Sequence, residues 1–253
     1  MSKTKIEWCD YTINPVKGLC PMACSYCYAR AMYKRFKWNP EITFMEDWAM
    51  PLVRMKPSKI FVGSTIELFG EWIPERWMKN IMETPKSFPR HTFIFLTKQP
   101  QNLIKWSPFP SNCWVGVSCS DFEKYGKALF HLINVRAKVK FISFEPLLER
   151  ITEQYNSEMM ATDLKFVGIN WIIIGRKTPV SKKTEPKAEW IKEIVEAADK
   201  AGVPVFLKNN LKPLLDYYPN AIWAWEDEPV GINPDYFPEP ALRQEFSNIA
   251  QVV

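Results

Sequence analysis

Short apolar runs recur along the chain, each closed by small or polar residues, at Asp10–Pro15, Lys59–Ser64, Thr92–Thr97, Cys113–Cys119, Val139–Phe144, Trp171–Gly175 and Val203–Lys208. Their length and their wealth of β-branched and aromatic residues predict seven strands. Most of the segments between them are long enough for a helix. From Pro186 to Ala201, Trp190, Ile191, Ile194, Val195 and Ala198 form one apolar stripe, while Glu189, Lys192, Glu193 and Glu196 face water and Gly202 is placed to end the helix. Similar patterns run through Tyr28–Phe36, through Pro74–Met82, where Pro74 suits a first turn, and through Asp121–Ile133, where Ser120 or Asp121 can cap the N-terminus.

Alternation of strand and helix is the pattern of βαβ units, whose right-handed crossovers curl a parallel sheet with the helices outside. The expectation is an α/β fold, a partial or near-complete parallel (β/α) barrel of about six to eight strands, over residues 1–217. Two stretches break the rhythm. Residues 148–167 are polar and poor in Gly and Pro, which suits a frayed helix or an inserted loop. Residues 218–253 mix Trp223, Trp225, Tyr236 and Phe237 with Pro219, Pro229, Pro234 and Pro238. They are expected to form an irregular extension packed on the barrel, since so short a segment buries little core alone. Ile222–Trp225 is a candidate further strand.

Composition narrows the setting. The longest apolar runs, Phe93–Leu96 and Trp171–Ile174, are far shorter than the roughly 20 residues of a membrane span, and Met1–Trp8 lacks the apolar stretch of a secretory signal. A cytoplasmic location without a membrane partner is expected, where thiols stay reduced. Six cysteines in 253 residues then point to metal or redox chemistry rather than a disulfide framework. Lys and Arg number 33 against 28 Asp and Glu, a net charge of +5 that is compatible with a polyanionic partner without demonstrating one.

Cys20-Pro21-Met22-Ala23-Cys24-Ser25-Tyr26-Cys27 has the spacing C-x3-C-x2-C. Three thiolates in one short loop can hold three irons of a cubane [4Fe-4S] cluster and leave the fourth iron open to a small-molecule chelate. Gly18 and Pro21 interrupt any preceding element, and Tyr26 is placed to shield a cluster from water. Two other readings stand beside this one. The i, i+4, i+7 spacing also suits a buried stripe of inert thiols on one helix face. A zinc site would need a fourth ligand from Cys9, Cys113, Cys119, His91 or His131.

C-x3-C-x-aromatic-C after the first strand of a parallel barrel resembles the radical S-adenosylmethionine (SAM) superfamily. Along most of the chain the resemblance is to a phage-associated, largely uncharacterised three-cysteine branch, a domain of unknown function. It is carried by Thr4–Trp8, Asn14-Pro15, Tyr28-Ala29, Leu96–Lys98, Trp114–Ser118, Glu145–Leu148 and Gly202–Lys208. The resemblance implies Cys20, Cys24 and Cys27 as ligands of a [4Fe-4S] cluster whose open iron chelates SAM. It implies an enzyme in which one electron, from a donor such as flavodoxin or ferredoxin, breaks a carbon–sulfur bond of SAM, and the resulting 5′-deoxyadenosyl radical takes hydrogen from a substrate. The cofactors carry that chemistry; the protein positions SAM, excludes water and aims the radical, at the carboxyl ends of the strands.

Under the same resemblance, Val62–Glu67 stands where many members carry a Gly-Gly-Glu-type segment for the SAM amino group, and departs from it. Ser64 and Thr65 offer hydroxyl or carbonyl acceptors and Glu67 an anionic partner, or Glu67 is a solvated residue opening a helix. Ser118 fits a ribose hydroxyl, with Asp121 either helping or capping its helix. Ser143 and Glu145 share a strand face, so Glu145 is a candidate for SAM or substrate, or else a structural carboxylate. Gly175 permits close approach of adenine. Lys98, Arg176 and Lys208, at three strand ends, would share one rim of a barrel and suit the SAM carboxylate or substrate phosphates. Cys119 is a candidate hydrogen donor to a substrate radical, its alternative being the packing role expected of Cys9 and Cys113. His91 and His131 lie away from these ends.

The expected substrate is nucleic acid or nucleotide, for modification or repair, because clusters such as Lys34-Arg35-Phe36-Lys37 and many aromatic residues suit phosphates and stacked bases. Peptide and small-molecule substrates stay open. Two other classes compete: a non-enzymatic iron–sulfur redox or sensor protein that never cleaves SAM, and a zinc-stabilised nucleic-acid-binding module.

Overall fold

A computed structural model describes residues 1–153, 156–215 and 245. Its strands are β1 (Ser2–Lys3), β2 (Tyr11–Ile13), β3 (Val16–Lys17), β4 (Thr43–Phe44), β5 (Lys59–Val62), β6 (Thr92–Thr97), β7 (Cys113–Ser118), β8 (Val139–Phe144), β9 (Trp171–Ile174) and β10 (Val205–Leu207). The helices are α1 (Tyr28–Phe36), α2 (Glu75–Ser87), α3 (Phe122–Leu132), α4 (Ser157–Val167), α5 (Ala188–Ala201) and α6 (Lys212–Leu215). The fold is mixed α/β, with one mostly parallel eight-stranded sheet in the order β1-β2-β5-β6-β7-β8-β9-β10 and a separate antiparallel pair, β3 and β4. The chain divides into two compact units, residues 1–118 with 127–141, and residues 119–126 with 142 onward.

In the first unit β2, β5, β6 and β7 are parallel neighbours, with Tyr11 opposite Ile60, Lys59 opposite Thr92, and Phe93 opposite Cys113; β1 joins β2 antiparallel. All six residues of β7 are buried. Burial on both faces is the reason such strands read as continuous apolar runs rather than alternating ones. Helix α2 buries Met78, Ile81 and Met82 and continues past the expected end at Met82 to Ser87, with Pro85 in its last turn.

In the second unit β9 and β10 pair in parallel, and Trp171, Ile172, Ile173 and Ile174 are fully buried. Helix α5 buries Ile191, Ile194, Val195 and Ala198 of the expected stripe, while Trp190 stays half-buried, and Gly202 closes the helix in the left-handed conformation. The polar stretch expected as a frayed helix or loop contains α4, a regular helix: the Asn156 side chain caps it by accepting the Met159 N–H, Gly168 ends it, and Met160, Ala161, Leu164 and Val167 are buried. Glu245 lies against β10, its N–H donating to the Val205 carbonyl at 3.0 Å and its carboxylate accepting the Val205 N–H at 2.9 Å. Apart from Glu245, the expected extension 218–253 and the candidate strand Ile222–Trp225 fall outside the described residues. Among the described residues no helix is long and apolar enough to cross a membrane.

Candidate functional site

Beyond Ile13 the first unit turns through Asn14 and β3 into the cysteine loop. Gly18 sits at φ +130°, where a Cβ would lie 2.6 Å from Ile42 Cα, so glycine alone lets the loop pass that backbone. Its N–H donates to the Tyr33 hydroxyl at 2.7 Å. Cys20, Cys24 and Cys27 are half-buried, whereas Cys9, Cys113 and Cys119 are buried. Cys27 caps α1, its sulfur accepting the Arg30 N–H at 3.4 Å. A helix N-terminus favours the negative charge that a metal-bound sulfur carries. The Cys20 sulfur accepts the Glu67 N–H at 3.5 Å, and its carbonyl accepts from the Arg30 guanidinium at 2.7 Å.

The loop rests on the residues that follow β5 and β6. The Tyr28 hydroxyl donates to the Ser64 carbonyl at 2.6 Å, the Gln99 amide donates to the Met22 sulfur at 3.0 Å, and the Lys98 ammonium stands 5.9 Å from the centre of the Tyr26 ring. Asn14 ties these ends together, its Oδ1 accepting the Ser64 hydroxyl and the Thr65 N–H, each at 3.3 Å. The cysteine loop therefore sits by the carboxyl ends of parallel strands.

Glu67 neither faces solvent nor opens a helix. It is buried, with Oε1 accepting the Thr97 hydroxyl at 2.6 Å and the Phe69 N–H at 3.1 Å, and Oε2 accepting the Lys98 N–H at 2.7 Å. Burial pushes its carboxyl up, against the pull of these three hydrogen bonds and the Lys98 charge. Its carboxylate anchors the backbone after β5 and β6, so the solvated, helix-opening alternative expected from the sequence does not hold. Lys98 reaches onward to the buried Ser118, donating to its hydroxyl at 3.0 Å.

Among the described residues no three His, Cys, Asp or Glu side chains are gathered as a single metal ion requires. One zinc draws its sulfurs to about 2.3 Å from a common centre, whereas thiolates on a cubane bind separate irons. Burial pushes the Cys20 thiol up; the Glu67 and Met22 N–H groups oppose this, and the Glu67 carboxylate and Cys27 add to it. A coordinated metal removes such a proton outright.

The remaining strand-end candidates lie in the second unit and are held by neighbouring groups of that unit. Lys208 pairs with Glu145 at 2.8 Å, and the other Glu145 oxygen accepts the Ser143 hydroxyl at 3.1 Å. The close approach that Gly175 permits is made by these two side chains: a Cβ there would lie 2.8 Å from Lys208 Cδ and 3.1 Å from Glu145 Oε1. Arg176 pairs with Glu185 at 2.6 Å, while its buried Nε has no hydrogen-bond partner among the described residues. Asp121 caps α3, accepting the Lys124 N–H at 2.9 Å, and pairs with the Lys124 ammonium. The fully buried Cys119 thiol donates to the Lys124 carbonyl at 3.5 Å. His91, in the first unit, is buried.

Asn14, Met22, Tyr28, Arg30 and Gln99 were given no site role by sequence reasoning. Asn14 and Tyr28 carried a signal, as a polar residue ending a strand and an aromatic one beside Cys27. The others act through partners distant in sequence.

The fold and site thus define a mixed α/β protein whose three-cysteine loop is tied to the ends of parallel strands. Residues 3–212 match the family described as "Protein of unknown function (DUF5131)", and the chain belongs to that family. No curated protein matches the chain. The family description names no activity.

Proposed function

We propose that the protein is a radical SAM enzyme built on a partial parallel barrel, with Cys20, Cys24 and Cys27 as the protein ligands of a [4Fe-4S] cluster. The observation that carries this reading is a loop with three half-buried cysteines tied to the residues after β5 and β6, two of its sulfurs already accepting backbone N–H groups. Three soft thiol donors in one short loop suit an iron–sulfur cluster with one iron left open. When bound, the cluster and SAM supply one-electron cleavage of a sulfonium and removal of hydrogen from a substrate.

This chain's residues bind and orient. Glu67 and Asn14 hold the backbone after β5 and β6, and with it the donor to Cys20. The Thr65 hydroxyl offers an acceptor for the SAM ammonium. Lys98 and Ser118, already joined, offer a cation and a hydroxyl for its carboxylate and ribose. Tyr26 covers the loop on the Lys98 side. A low-potential flavodoxin- or ferredoxin-type donor would supply the electron. The test is anaerobic reconstitution with iron and sulfide, reduction with dithionite and incubation with SAM. The expected product is 5′-deoxyadenosine, absent for Cys24→Ala; full iron loading without that product overturns the reading.

A further inference from the structure

We propose that the end of α1 and the residues after it, Lys34 to Pro40, bind single-stranded nucleic acid and lead it to the cysteine loop. This names the substrate class of the proposed function and rests on that reading. The first support is where the charge lies. Tyr11–Pro40 contains Lys17, Arg30, Lys34, Arg35 and Lys37 and not one Asp or Glu, while the rest of the chain holds 28 cations and 28 acids. The whole net charge of +5 therefore belongs to the stretch that carries the cysteines. Arg30 is used on the Cys20 carbonyl. Lys34, Arg35 and Lys37 are exposed and make no ion pair among the described residues.

A basic last turn also complements the helix dipole, but that does not call for exposed rings beside it. Phe36 is 52% and Trp38 43% exposed. Their rings stack with centroids 5.5 Å apart and planes 22° apart, and Arg35 stands 5.3 Å from the centre of Phe36. Tyr33 fixes Trp38 edge-on at 5.3 Å. A single strand presents phosphates and open base faces together, the two chemistries this surface answers. A duplex keeps its base faces stacked, and an acidic peptide has no use for the rings.

The second support is a path. A cleft of about 600 Å³ is lined by Cys24, Cys27, Arg30, Tyr33, Lys34 and Trp38, a volume in the range of ligand pockets. A strand on Trp38 and Lys34 thus lies along a cleft that Cys24 and Cys27 also line.

The test is fluorescence anisotropy on the full chain with labelled oligothymidylate and oligouridylate, polyglutamate and a DNA duplex serving as competitors. Three phosphate contacts predict a slope of about −2 for log affinity against log salt. Lys34→Glu/Arg35→Glu/Lys37→Glu should weaken binding at least about tenfold and flatten that slope. Phe36→Ala/Trp38→Ala should weaken it about tenfold with the slope kept, and Phe36→Tyr/Trp38→Phe should restore most of it. Charge reversal without effect, or competition by polyglutamate or duplex as strong as by the single strand, overturns the proposal. A protein that forms 5′-deoxyadenosine yet binds neither oligonucleotide overturns this proposal alone. One that binds them as described but forms none supports this surface and overturns the chemistry.

Discussion

In the first unit the cysteine loop presents three half-buried sulfurs, and beside it Lys34, Arg35 and Lys37 carry charge that no carboxylate among the described residues answers. In the second unit four cations that follow strands are held by a carboxylate of that unit: Lys208 by Glu145, Arg176 by Glu185, Lys124 by Asp121 and Arg150 by Glu193. A ligand arriving at Lys208 must compete with Glu145, whereas one arriving at Lys34 displaces only water. Strand-end position alone does not distinguish the two; the available charge does. The first region has the character of a site and the second that of a scaffold.

Thiol chemistry offers the widest separation. Burial pushes the Cys113 thiol up to about 12, so its thiolate fraction at pH 8 is roughly a thousandfold below that of an ordinary thiol. Iodoacetamide on the iron-free protein, read by peptide mass mapping, should label Cys24 and Cys27 early and leave Cys113 unlabelled until unfolding. Early labelling of Cys113 would break the contrast between the two sets of cysteines. Next in size is the effect on activity. Cys24→Ala should lower 5′-deoxyadenosine formation at least about a hundredfold together with iron content. Lys208→Ala is the counter-test: if SAM cleavage falls while iron loading stays complete, Lys208 belongs to the cofactor site and the second region is more than scaffold.

Most of the architecture was legible in the chain. Thr92–Thr97, Val139–Phe144 and Tyr28–Phe36 coincide with their elements, and the other expected strands overrun theirs by one to three residues. Buried parallel strands and one-sided helices write their burial into local pattern. Residues 148–167 did so less clearly, because the stripe of Met160, Ala161, Leu164 and Val167 is blurred by the exposed apolar Met159 and Phe166 on the same helix. The cysteine loop was legible from spacing, as were the buried roles of Cys9 and Cys113. The anchoring role of Glu67 was not, since its partners Thr97 and Lys98 lie about 30 residues away. Pairing of Lys208 with Glu145 is likewise a long-range fact.

That anchoring role gives a stability test of the same contrast. Glu67→Ala leaves the Thr97 hydroxyl and two backbone N–H groups buried without their acceptor, and should cost about 3 kcal/mol in urea unfolding. Lys208→Ala breaks a pair whose ends keep 21% and 16% side-chain exposure, and should cost about 1 kcal/mol. Equal losses would mean that the polar network of the second unit is as tightly built in as that of the first.

The smallest effect is one of pH and isolates an ion pair of the second unit. Burial pushes the Asp121 carboxyl up, but the Lys124 ammonium, the Lys124 N–H and the Ser120 hydroxyl outweigh it and hold it below its ordinary value near 3.8. A depressed folded value means that the stability it contributes is fully present above 3.8 and is lost as the pH falls through the folded value. Asp121→Asn keeps the cap and removes the charge. Because the pair is partly exposed and screened, the variant should be less stable than wild type by under about 0.5 kcal/mol at pH 6. That gap should close as unfolding is followed below pH 3.8. A gap that widens on acidification would mean that Lys124 does not hold Asp121 in its charged form.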